Sequence, residues 1–177
     1  MLFGGRKVRV SVQVLVVACA GHLAFHYTAY FQSYIKDRLT SFLELLKHTD
    51  PLLRGQVYLF VGSIITGYLN TRSTLKVEEK WDLDVFNLLW TLLFSVMKDD
   101  SAISAKMACE ALAMTVEPVL SSEFAFFVPA MIQHLLCLPR DSYLLLKSKV
   151  LGLLAKCDFR TVQYLPKKAC VFASLRR

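Results

Sequence analysis

The sequence predicts an all-α protein, a solenoid of about four stacked antiparallel helical hairpins, and three observations carry that reading. Apolar side chains recur at spacings of three and four through most of the chain, the period of a helix with one buried face. Turn formers are scarce, with 7 glycines and 5 prolines in 177 residues, while hydrophobic residues make up 55%. A short motif, a small or aliphatic residue followed by a base near a helix start, returns four times. It reads Val8-Arg9, Leu53-Arg54, Ala105-Lys106 and Leu146-Lys147, at intervals of 45, 52 and 41 residues. Near-equal periods of this length mark hairpins that bury one another's apolar faces. A single solenoid segment over 1–177 follows, in units of about 1–26, 27–70, 71–117, 118–157 and a partial 158–177.

The first inner helix is expected over Val8 to Ala24. Val8, Val10, Val12 and Val14 alternate as in a strand, and valine favours strands. Leu15, Val16 and Val17 break the alternation, and no partner strand is evident. Val14, Val17 and Gly21 are expected to face the next hairpin. After a helix ending near Lys47, Asp50 is placed to cap the free amides of a new first turn, and Pro51 suits the first helical position. Val57, Phe60, Val61, Ile64 and Tyr68 give that helix its buried face, and a polar loop from about Thr71 to Lys80 ends it.

Asp82, with Asp84 in the first turn, starts the next helix as a cap. Lys98-Asp99-Asp100-Ser101 is a further turn and cap. It introduces Ala102, Ala105, Ala108 and Cys109, small side chains that let helix axes approach closely, and Pro118 is expected to end this helix. Ser121-Ser122-Glu123 opens a helix carrying Phe124, Phe127 and Met131 and bent near Pro129. Arg140-Asp141-Ser142 caps another, and Asp158 starts a last short one that Pro166 interrupts.

The formal charge of +7 suggests an acidic partner until its location is read. Arg6, Lys7, Arg9, Lys167, Lys168, Arg176 and Arg177 lie at the two ends, and between Val10 and Pro166 the count is 14 basic against 14 acidic. A neutral middle with basic tips is not a phosphate-binding stripe, so no nucleic-acid partner is expected. Five widely spaced cysteines without a CxxC favour free thiols in a reducing compartment. Uninterrupted apolar stretches such as Val57 to Ile65 fall short of the ~18 to 20 residues a membrane span needs, so no integral span is expected. Met1 to Ala20, basic and then apolar, also has the form of a secretory signal. Its continuation through Gly21 and the register of the repeat favour a packing helix, and a secreted or membrane-associated helical protein is the alternative.

Asp50-Pro51-Leu52-Leu53-Arg54, after a helix over Leu39 to Lys47, resembles the HEAT repeat, whose second helix commonly carries this aspartate and basic pair. More specifically, four strings occur in the same order as similar ones in the N-terminal HEAT region of the huntingtin family. They are Val8-Arg9-Val10-Ser11-Val12, His48 to Gly55, Lys98 to Ser101 with Lys106-Met107-Ala108-Cys109, and Asp158-Phe159-Arg160. The resemblance spans about Val8 to Ala169, and the tail from Cys170 departs from the pattern. It implies a non-enzymatic HEAT-repeat scaffold, a section of a longer chain, without cofactor. Its partners would be proteins, namely other HEAT repeats of that chain and transport or huntingtin-associated proteins. They would meet in intracellular vesicle transport, in the cytoplasm and also the nucleus. A transport-receptor-like HEAT protein is a further alternative, but its acidic inner surface is not matched by inner-helix starts that carry bases as often as acids.

The repeat motif assigns structural roles to Arg9, Asp50, Pro51, Arg54, Asp99, Asp100, Lys106, Asp141 and Lys147. Arg54 is expected to hold a carboxylate, either Asp50 or the neighbouring repeat's Asp99 or Asp100, through its planar fork. No catalytic residue is assigned. His22 and His26, or His134 and Cys137, are pairs at helical spacing, and two ligands do not make a zinc site. Asp82-Leu83-Asp84 matches a short metal-holding motif, but no phosphate loop accompanies it and capping is preferred. Partner-binding residues are left unassigned.

Overall fold

The computed structural model describes residues 8–75, 80, 82–127, 131, 148 and 152, and among them every regular element is helical. In order these are α1 Val10–His26, α2 Thr28–Glu44, α3 Pro51–Thr71, α4 Asp82–Lys98 and α5 Ala102–Leu120, with 3₁₀ turns at Leu45–Lys47, Arg72–Thr74 and Glu123–Phe127. The elements expected around Pro129, Arg140, Asp158 and Pro166, and the site residues Asp141 and Lys147, lie outside the described residues. The chain divides into two compact units, Met1–Thr115 and Val116–Arg177.

In the first unit, α1, α3 and α5 form an inner row, and α2 and α4 return the chain along the outside of α3. Helix wins over strand at the valine-rich start because a helix places Val17, Gly21 and Ala24 on one stripe, all three buried. Alternation would have split them between two faces. Val14, expected on the same stripe, is half-buried. Between α1 and α2 a single residue makes the turn. Tyr27 N–H donates to Leu23 O at 2.8 Å, and the buried Thr28 hydroxyl donates to Ala24 O. Two orphan carbonyls at the end of α1 are thus satisfied.

Helix α3 is the centre of the unit. Asp50 Oδ1 accepts Leu53 N–H at 3.0 Å and Pro51 takes the first helical position. Twelve of its residues from Leu53 to Tyr68 are buried, on every side of the helix, because it has neighbours on every side. The stretch Pro51–Thr74 is in fact long and apolar enough to cross a membrane by length and composition. The expectation that no stretch reaches that length counted uninterrupted runs, whereas the apolar average carries across Gly62, Ser63 and Thr66. In the fold 67% of that window is buried, which accounts for its apolarity by packing.

Pro118 does not end α5, as expected, but lies inside it, two residues before Leu120. Proline deprives the carbonyl four residues back, Met114 O, of its helical donor. The Thr66 hydroxyl of α3 donates to that oxygen at 3.2 Å instead, so the helix continues without an orphan acceptor. Thr66 is 5% exposed. Thr66→Val, which keeps the shape and removes the donor, is therefore expected to cost about 1–2 kcal/mol in a denaturant melt.

In the second unit, Ser121-Ser122-Glu123 opens a 3₁₀ turn and not the expected α-helix start. Ser122 is the reason. Its hydroxyl donates back to Val119 O at 2.8 Å and accepts Phe124 N–H at 3.2 Å, local bonds that compete with a regular helical ladder. A 3₁₀ turn brings residues three apart onto one side, and Phe124 and Phe127 are both buried while Phe126 is half exposed.

Candidate functional site

The site residues of the sequence converge on the seam where inner helices meet. Taking the first helical residue as one in α1, α3 and α5, the twelfth is Gly21 in α1 and Gly62 in α3, and the tenth is Phe60 in α3 and Ala111 in α5. A side chain built on Gly21 would lie 3.4 Å from Phe60 Cα, and one on Gly62 would lie 2.9 Å from Ala111 O and 3.0 Å from Ala111 Cα. The same contact thus occurs twice, a glycine of one inner helix against the backbone of the next. Glycine is required because the axes come too close for a Cβ. Gly55 repeats the device one turn or so earlier, against the side chain of Met107.

At the end of the α3–α5 seam sits a charged rung. Arg54 Nε and Nη2 donate to Asp99 Oδ2 and Oδ1 at 3.1 and 2.9 Å, a two-pronged pair. Nη2 also reaches Asp100 Oδ1 at 2.8 Å, and Nη1 donates to the carbonyls of His48 and Thr49 at 2.9 and 3.0 Å. Asp50, offered above as a possible acceptor for Arg54, instead caps α3. Asp99 also accepts from Tyr58 Oη at 3.1 Å, Ser101 N–H at 2.9 Å and Ser104 Oγ at 2.7 Å. Its side chain is 3% exposed, that of Arg54 12% and that of Asp100 90%.

Burial alone would push the Asp99 carboxyl upward, but the Arg54 hydrogen bonds, then those from Ser101, Ser104 and Tyr58, hold it well below the usual carboxylate range. The hydrogen bond to Asp99 correspondingly raises Arg54, and burial raises the Tyr58 phenol. An open hollow of about 630 Å³ lies beside the rung, lined in part by Leu46, Tyr58, Phe94 and Asp99. Five donors already converge on the Asp99 carboxylate, so it has no free lone pair to take a substrate proton. The arrangement fixes one hairpin on the next.

A second pair closes the loop after α3. Asp82, expected as a helix cap, is the first residue of α4, and its carboxylate is held by Arg72 Nε and Nη2 at 2.7 and 2.8 Å and by Tyr68 Oη at 2.6 Å. The Arg72 bond lowers its ionisation range against an opposing contribution from burial. A base ten residues upstream outcompetes the helix amides for it, which local capping rules do not register. Among the described residues no group of three or more His, Cys, Asp or Glu could hold a metal ion.

The remaining motif bases are placed differently. Arg9 precedes α1, its carbonyl accepting Val12 and Gln13 N–H while its side chain is exposed, and Lys106 is exposed on α5. The residue at the Arg54 place in α1 is Gln13, which sequence reasoning passed over. Its Nε2 donates to Val8 O at 3.0 Å, as Arg54 does to the carbonyls ahead of α3. His48 likewise holds the place of Asp99, its Nδ1 accepting Asp50 N–H at 3.0 Å where Asp99 accepts Ser101 N–H. Gln13 Oε1 is buried without a hydrogen-bond partner. Neutral residues thus occupy at the α1–α3 seam the places that are charged at the α3–α5 seam. The signal was a count from the helix start, where the motif search counted from basic residues.

Residues 45–175 match the family described as Huntingtin, N-terminal HEAT. The chain belongs to the huntingtin N-terminal HEAT family. It is 31% identical over 93% of its length to huntingtin of Takifugu rubripes, covering 6% of that protein, and 33% identical over 70% of its length to the HD protein homolog of Dictyostelium discoideum, covering 4% of it. No solved structure matches the chain. Membership of the huntingtin HEAT family gives the seam its meaning, since α3 and α5 are successive inner helices of stacked repeats and Arg54 with Asp99 ties one repeat to the next.

Proposed function

We propose that this huntingtin-family chain is a non-enzymatic scaffold segment whose stacked hairpins hold protein partners, in intracellular vesicle transport and related processes, in the cytoplasm and nucleus. The observation that supports this most is the use made of the ionisable groups with displaced titration. Arg54, Tyr58, Asp82 and Asp99 are all spent on bonds between helices or across a loop, the opposite of catalytic groups held ready for a substrate. A stack fixed in this way offers long helix faces as binding surface.

The test is quantitative mass spectrometry of proteins that co-purify with the tagged chain from cells, comparing the native chain with Arg54→Ala. A defined set of proteins that is lost when the rung is removed is the expected result. A set without vesicle or cytoskeletal components removes the transport clause. Turnover of a small molecule by the purified chain, abolished in Asp99→Asn, would overturn the scaffold reading.

A further inference from the structure

The repeated seam identifies a face of α1 that has the form of a third docking surface. In α3 the sixth, tenth and thirteenth residues are Gln56, Phe60 and Ser63, which with Gly21 and His22 of α1 line the groove between the two helices. In α5 the same places are Met107, Ala111 and Met114, which meet Gly55, Gly62 and Thr66 of α3. In α1 the sixth, tenth and thirteenth residues are Leu15, Cys19 and His22, and all three are exposed. Around them Val12 is 46% exposed, Leu15 63%, Val16 41% and Leu23 40%, a run without a charge. By contrast Phe60 and Ala111, the counterparts of Cys19, are 1% and 0% exposed.

We infer that Val12, Leu15, Cys19 and His22 form a docking face for one kind of occupant, the inner helix of another helical hairpin, apolar and carrying a glycine or other small residue opposite Cys19. The inference rests on the scaffold reading and deepens it by naming partner and register. Its ground is continuity with the two seams already present. The tenth residue of α3 lies against a glycine of the helix before it, the tenth residue of α5 does the same, and α1 offers the same surface. The missing Cβ is what lets backbones approach, so a bulky residue at that place in the occupant would hold the helices apart.

The experiment uses the full chain and, as probe, a synthetic peptide of residues 51–71 with added terminal lysines, because this segment carries Gly62 at the required place. The readout is the rate at which Cys19 is alkylated. At ten times the dissociation constant the peptide is expected to slow alkylation about tenfold, and a peptide with Gly62→Leu is expected to give no protection. Leu15→Glu in the chain should abolish protection with an unchanged melting curve, since that side chain is exposed in the free fold. Equal alkylation with and without peptide, or equal protection by the Gly62→Leu peptide, overturns the inference. So does Cys19 protected without peptide: in a sedimenting dimer a second copy is the occupant, and in a monomer the chain's own residues 1–7 are. If partner capture from cells persists while Cys19 stays unprotected, the docking face fails and the scaffold reading stands. If capture is absent but Cys19 is protected, the reverse holds.

Discussion

Asp99→Ala is expected to lower the stability of the chain by about 3–5 kcal/mol, because it strands a nearly buried guanidinium whose other carboxylate partner, Asp100, is exposed to solvent. The melting temperature should fall by about 10 °C. Replacing both partners with apolar residues, Arg54→Met with Asp99→Leu, should cost less than the sum of the single changes, since no buried charge then remains. The same carboxylate makes stability depend on pH with a definite sign. Its range in the folded chain is held below the ordinary value of 3.8. Its stabilisation is therefore complete above that value and is lost as the pH falls toward the folded range, from about pH 5 downward. Asp99→Asn should flatten the acid limb of the stability curve by up to about 1.4 kcal/mol per pH unit, one proton's worth. Asp82, lowered in the same direction, leaves a residual slope. Urea melts from pH 2 to 7 measure both effects, and parallel curves for the native chain and Asp99→Asn would remove the rung from the stability of the fold.

Gly62→Leu should do comparable damage by a different route. Even a methyl group at this position would stand 3.0 Å or less from the Cα and carbonyl oxygen of Ala111, which are backbone atoms and cannot turn aside. The α3–α5 seam must open, with a loss expected at or above the upper end of the 1–3 kcal/mol usual for overpacking. Gly152 is the control. A side chain there meets nothing within 4 Å, so Gly152→Ala is expected to be neutral or to stabilise by about 0.5–1 kcal/mol through helix propensity. Guanidinium melts of the two variants give opposite shifts if close axial approach, and not glycine as such, is what the seam needs. A Gly62→Leu chain that melts like the native one would show that the inner helices do not depend on this contact.

How far the chain's own letters reach can be judged at particular residues. Asp50 and Pro51 announced the start of α3, and the spacing of Val57, Phe60, Val61, Ile64 and Tyr68 announced its buried face, because caps and amphipathic periods are local consequences of backbone geometry. The near-equal periods gave stacked hairpins, and the order of short strings gave the huntingtin family, which the comparisons establish. At Arg54 the sequence supplied a base with three candidate acids, and only the packing of α3 on α5 chose Asp99 and Asp100 and left Asp50 to its cap. At Pro118 the local rule said stop. Whether the helix could continue depended on a donor 52 residues away in the chain, Thr66, which serves the carbonyl that proline leaves free. Asp82 went to Arg72 for a similar reason, since competition between an ionic partner and helix amides is settled by distance in space. The equivalence of Gly21 with Gly62, and of Gln13 with Arg54, was visible only once helix starts were fixed to the residue. The sequence by itself determined where helices form and that they stack, since those follow from backbone geometry and the burial of apolar side chains. The tertiary structure alone decided which charge meets which, where axes touch and which face of α1 is left open, because each depends on groups brought together from distant parts of the chain.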